Sequence, residues 1–106
     1  MAKYLFQGSY TEEGLKGLLK EGGSKRREAA EQVIKSVGGT LEAYYFAFGD
    51  NDFYVIADLP DNVSTTAVSL VVNDSGAVEV QTVVLLTPEE VDQAVRKTVD
   101  YRPPGQ

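Results

Sequence analysis

The chain has 106 residues, of which 42% are hydrophobic, a formal net charge of −6, and neither cysteine nor histidine. This length suits one domain, residues 1–106, with a compact radius of about 13 Å and a single modest core. Without Cys or His there are no disulfides, no ordinary zinc or haem ligand sets and no Ser-His or Cys-His nucleophile, and the negative charge disfavours nucleic acid.

No apolar run approaches the ~20 residues of a membrane span. The pattern turns strand-like from the first residues, which leaves no room for a signal peptide. The expected setting is therefore cytoplasmic, with no cofactor and no membrane partner. Acid–base chemistry would have to use Asp, Glu, Lys or Tyr. Lys25-Arg26-Arg27 is the one basic cluster, and among acidic neighbours it reads as a solvated helix face.

In chain order, residues 3–10 alternate, with Tyr4, Phe6 and Tyr10 on one side of a strand. Thr11 is a helix N-cap followed by Glu12 and Glu13, which favour the positive end of the helix dipole. Gly22-Gly23 interrupts this helix. Ser24 is placed to cap a second one, whose apolar positions are Ala29, Ala30, Val33, Ile34 and Val37. Gly38-Gly39 ends it. Strands are expected over 40–48 and 52–59. Asp61 or Asn62 can then cap a helix that runs to about Asn73 and offers Val63, Ala67, Leu70 and Val71 to the core. Residues 77–86 are a β-branched strand. Thr87-Pro88-Glu89-Glu90 is a capping box with proline at the first helical position. Val91 and Val95 give this last helix an apolar edge, and the tail with Pro103 and Pro104 cannot continue it. The predicted fold is α+β and ferredoxin-like: a four-stranded antiparallel sheet with helices on one face, βαββαβ plus a C-terminal helix.

The segment Gly49-Asp50-Asn51-Asp52 reads as hairpin chemistry. A two-residue Asp50-Asn51 turn, with both residues at positive φ, sets Phe48 opposite Phe53, Phe46 opposite Val55 and Tyr44 opposite Ala57. One face then carries Tyr44, Phe46, Phe48, Phe53, Val55, Ala57 and Leu59. The other carries Leu41, Ala43, Tyr45, Ala47, Asp52, Tyr54, Ile56 and Asp58. This second face is too apolar for bare solvent and too polar for a dry core, so it is expected to meet another subunit or line a small pocket. Tyr10, Tyr45, Asp52 and Tyr54 are the pocket candidates. Asp52 and Asp58 are about 20 Å apart along one strand, too far to share a bond. Asp50 and Asp52 supply too few ligands for a calcium loop, and no metal is expected.

Taken together, Ser9-Tyr10-Thr11-Glu12-Glu13-Gly14, the segment 43–50, Asp58-Leu59-Pro60-Asp61-Asn62, Gly76-Ala77-Val78, Leu85-Leu86-Thr87-Pro88-Glu89-Glu90 and the tail 101–105 closely resemble the GYD family of small bacterial and archaeal proteins. The resemblance departs at Asn51, where the family usually carries tyrosine. It implies a ferredoxin-like oligomer and brings no established activity. Two functional readings result. The first is a homo-oligomeric binding or scaffold domain, with a possible small-molecule ligand. The alternative is a cofactor-free enzyme of dimeric α/β-barrel type, with Asp52 as base and Tyr10, Tyr45 and Tyr54 as donors.

Overall fold

The computed structural model describes all 106 residues. Strand β1 (Ala2–Tyr10) turns Tyr4, Phe6 and Gly8 to one side, and the side chains there are buried. It is central because it pairs antiparallel with both β3 (Phe53–Leu59) and β4 (Val78–Leu85). β2 (Thr40–Phe46) joins the far side of β3, giving the order β2-β3-β1-β4. The sheet is open and does not close into a barrel. Helices α2 (Gly23–Ser36) and α3 (Asn62–Asp74) cover one face, and α1 (Glu12–Glu21) packs beside α2 and β1. This is the expected ferredoxin-like α+β arrangement.

The core lies between that face and the helices: Tyr4, Phe6, Phe53, Val55, Ala57 and Leu59 from the central strands, Ile34 from α2 and Val68 from α3. Each large side chain taken out of water there contributes roughly 1.5–3 kcal/mol.

Local signals start the helices. The Thr11 hydroxyl accepts the Gly14 N–H at 3.1 Å and donates to the Gly76 carbonyl at 2.7 Å, so one cap also ties α1 to the turn before β4. At α3 the Asp61 carboxylate accepts the Ser64 N–H at 2.7 Å, which holds its carboxyl below the usual range. Helix α4 (Pro88–Val95) has the full capping box between Thr87 and Glu90. At α2 the expectation differs: Gly22, at φ 86°, is the N-cap, and Ser24 lies inside the helix. Gly22 also ends α1, and glycine alone takes that φ without strain while the chain turns between two abutting helices.

The hairpin is where the expectation fails. Phe46 pairs with Phe53 and Tyr44 with Val55, two residues away from the expected register, and residues 47–52 form the connection. No residue other than glycine has positive φ, so the two-residue turn is absent. Asp52 explains the longer loop. Its N–H donates to the Gly8 carbonyl at 2.7 Å and its carbonyl accepts the Ala47 N–H at 2.8 Å, so it is used to extend the β1 contact rather than to turn the chain. Phe48 therefore leaves the sheet and is fully exposed. A register shift between Leu41 and Ala43 moves Leu41, assigned to the second face, into the core at 7% exposure.

Helix α3 is rotated from the expected phase. Thr65 and Val68 are buried and Val72 is half-buried, while Val63, Ala67, Leu70 and Val71 face outward. The helix is apolar on two sides, so composition could not choose between them. Asn73 does. Its side-chain amide accepts the Val80 N–H at 2.8 Å and donates to the Val80 carbonyl at 3.2 Å, fixing the last turn against the outer edge of β4.

Every residue from Pro88 to Gln106 is exposed, and α4 has no extensive packing on another element. The molecule extends 57 × 33 × 22 Å, and its 16.9 Å radius of gyration exceeds the compact expectation of about 13 Å. No helix is long and apolar enough to cross a membrane.

Candidate functional site

Helices α2 and α3 straddle a cleft of about 240 Å³, floored by Phe6, Phe53 and Val55. It exists because α2 and α3 present small side chains there, Ala29, Ala30 and Ser69. Of its 15 lining residues, 13 are hydrophobic, and Arg26 is the one charged side chain.

Polar groups meet at one end. Tyr10, at the end of β1, and Tyr44, on β2, bring their hydroxyls to 3.2 Å. The Tyr10 ring stands edge-on to Phe53 with centroids 5.4 Å apart, which fixes its direction. Burial, followed by the bond to Tyr10, pushes the Tyr44 phenol well above the ordinary tyrosine range, while Arg26 pulls weakly the other way. Tyr44 is thus a neutral hydroxyl at any physiological pH. Arg26 lies along the cleft wall with its Nε buried and without a partner. The nearest carboxylate oxygen, on Glu21, is 3.8 Å from its terminal nitrogen, beyond hydrogen-bond length.

The candidate residues from the sequence fall in three places. Tyr10 is in the cleft. Tyr45 and Tyr54 are paired on the opposite face of the sheet, Tyr45 at 70% exposure, with the Asn51 amide 3.4 Å from the Tyr54 hydroxyl. Asp52 sits at the sheet's end, where one carboxylate oxygen accepts the Tyr10 N–H at 2.9 Å. The sheet separates Tyr10 from the other two tyrosines, so the four groups do not converge on one reacting atom. No three Asp or Glu side chains gather as a metal site either. Tyr44 and Arg26 were missed as site residues. Tyr44 read as core, and Arg26 as part of a solvated cluster, although only Lys25 and Arg27 are exposed in the manner expected. The signal was present: Arg26 lies three and four residues before Ala29 and Ala30, on the same helical stripe.

The Asp52 contact makes a prediction. Asp52→Asn retains an acceptor oxygen and should leave stability nearly unchanged. Asp52→Ala strands the Tyr10 N–H and should cost about 1–3 kcal/mol. Urea melts with and without magnesium or calcium check both points; an ion-dependent gain that Asp52→Asn removes would make the loop a metal site instead.

The second face of the sheet is built from Lys3, Leu5 and Gln7 of β1, Tyr54 and Ile56 of β3, Ala43 and Tyr45 of β2, and Gln81 and Val83 of β4. Lys3 bridges Glu42 at 2.8 Å and Asp58 at 3.0 Å, which raises its pKa, and Gln7 donates to Gln81 at 3.3 Å. These five side chains are thus paired within the face, Glu79 on β4 is not, and no element of the chain lies over the apolar centre.

Architecture and surfaces together describe a small α+β domain of ferredoxin-like class with one roofed and one bare sheet face. Residues 4–95 match the family model of the GYD domain. The chain belongs to the GYD domain family. No curated protein matches it.

Proposed function

We propose that the protein is a homo-oligomeric binding or scaffold domain whose bare sheet face docks on a second copy. The observation that carries this reading is the sheet face on which Tyr45, Tyr54 and Val83 are exposed beside half-buried Leu5 and Ile56. Lys3, Glu42 and Asp58 are already paired, which leaves Glu79 on the edge strand β4 as the charge of this face without an ion pair. Four strands of 7–9 residues, about 4.8 Å apart, offer a flat footprint of about 500 Å². Stable interfaces bury about 800 Å² per partner, so the face alone is small. The projecting α4 arm, with Val91 and Val95 on one stripe, supplies further apolar surface to the same assembly. The cytoplasm is the setting this reading adopts, supported by a chain without cysteine.

The enzyme reading is not favoured. Its proposed base is bonded to a backbone amide, and its donors are divided between two faces.

Sedimentation equilibrium at micromolar concentration tests assembly. Wild type should be dimeric or larger, and Ile56→Asp should dissociate it while the far-UV spectrum is kept. Val95→Asp should weaken assembly without lowering the monomer's stability, since Val95 is 75% exposed within its own chain. A wild type that is monomeric at every accessible concentration overturns the proposal.

A further inference from the structure

We propose that the cleft between α2, α3 and the sheet binds a small organic monocarboxylate, with Arg26 and the Tyr10–Tyr44 pair holding the carboxylate and the apolar walls holding the rest. The site is formed within one chain and does not depend on assembly.

Size sets the first limit. About 240 Å³ is below the roughly 300–1,000 Å³ of pockets for drug-sized ligands, and a dry cavity of about 150 Å³ already accepts benzene. One ring, or an alkyl chain of similar bulk, together with a carboxylate matches the space. The walls set the second. With 13 of 15 lining residues hydrophobic, the body of the ligand has to be apolar.

The head group follows from what is left unpaired. Arg26 Nε is buried with no acceptor, and no Asp or Glu lines the cleft; the guanidinium's carboxylate contact is Glu21, 3.8 Å from its terminal nitrogen, which leaves Nε unsatisfied. A buried guanidinium N–H without an acceptor is costly, and a ligand carboxylate removes that cost with a charge-assisted bond. The tyrosine pair adds a second donor. Two hydroxyls 3.2 Å apart use one hydrogen between them, and the other remains free to donate. A cationic ligand would be repelled by Arg26. A phosphate dianion is the poorer fit, because a single cation and one free hydroxyl cannot satisfy its charge and its three oxygens. One negative charge shared over two oxygens fits the donors present.

Calorimetric titration of the full chain tests this with benzoate and hexanoate against their neutral isosteres benzamide and hexanamide. The carboxylates should bind at least tenfold more tightly than the amides. Arg26→Gln should erase that ratio, and Tyr44→Phe, which keeps the ring, should reduce it several-fold. Ala30→Phe, which fills the cleft from α2, should abolish binding of all four. Should Arg26→Gln fail to fold, the Tyr44→Phe result and the wild-type ratio decide by themselves. No saturable binding of either carboxylate at millimolar concentration overturns the proposal. Equal binding of acid and amide, or binding unchanged in Ala30→Phe, overturns it as well.

Discussion

Replacing Phe53 by alanine should cost the fold about 3–5 kcal/mol, a large part of the 5–15 kcal/mol that holds a domain of this kind together. Phe53 is 5% exposed at the start of β3, opposite Phe46 on one neighbour and Gly8 on the other. Its ring lies 5.4 Å from that of Tyr10 and 6.4 Å from that of Tyr44. Truncation loses the transfer term for the ring and both aromatic contacts, and leaves a void continuous with the cleft. The strand cannot collapse into that void because it is hydrogen-bonded on both sides. Phe48, five residues earlier in the same segment, provides the control. It is fully exposed, and Phe48→Ala should change stability by less than about 0.5 kcal/mol. Urea unfolding of both variants, with equal m-values, measures the difference. Equal losses at the two positions would overturn the pairing of Phe46 with Phe53.

Gly14→Ala should be the other severe substitution, and Gly17→Ala in the same helix should have the opposite sign. A β-carbon on Gly14 would stand 1.8 Å from the Ala77 carbonyl oxygen and 2.7 Å from its carbon. Those atoms are backbone, and they are held in place because the Ala77 carbonyl accepts the Thr11 N–H at 3.0 Å. The first turn of α1 would have to lift off the start of β4 and give up the Thr11 cap. Overpacking of this kind costs about 1–3 kcal/mol, and a rigid backbone partner places it at or above the upper end. At Gly17 nothing lies within 4 Å, and there the ordinary helical preference for alanine over glycine should stabilise by about 0.5–1 kcal/mol. Thermal melts of the two single variants and the double variant check both signs. A tolerated Gly14→Ala would show that α1 is not pressed against β4.

Much of this was readable from local chemistry. Thr11, Asp61 and the Thr87–Glu90 box cap the helices they were expected to cap, because a side-chain oxygen beside free N–H groups acts over three residues and needs no distant partner. The alternation of Tyr4, Phe6 and Tyr10, and of Phe53, Val55, Ala57 and Leu59, identified the roofed face of the two central strands, since the pleat has a period of two in any sheet. The element order and the ferredoxin-like class followed from those signals.

Register, helix phase and the cleft were decided by groups distant in sequence. Asp52 read as a turn residue, but its amide and carboxylate bind Gly8 and Tyr10, more than 40 positions away, and this lengthened the loop and released Phe48. A bulge moved Leu41 to the core. The phase of α3 was ambiguous because both of its sides are apolar, and the Asn73–Val80 bonds resolved it. Arg26 could not be told from its solvated neighbours until the sheet placed Tyr44 beside it, for a cluster of charges on a helix does not reveal which member faces inward. Sequence determines which atoms can bond nearby; only the packed chain determines which remote atoms they meet, and both the register and the candidate site depend on those meetings.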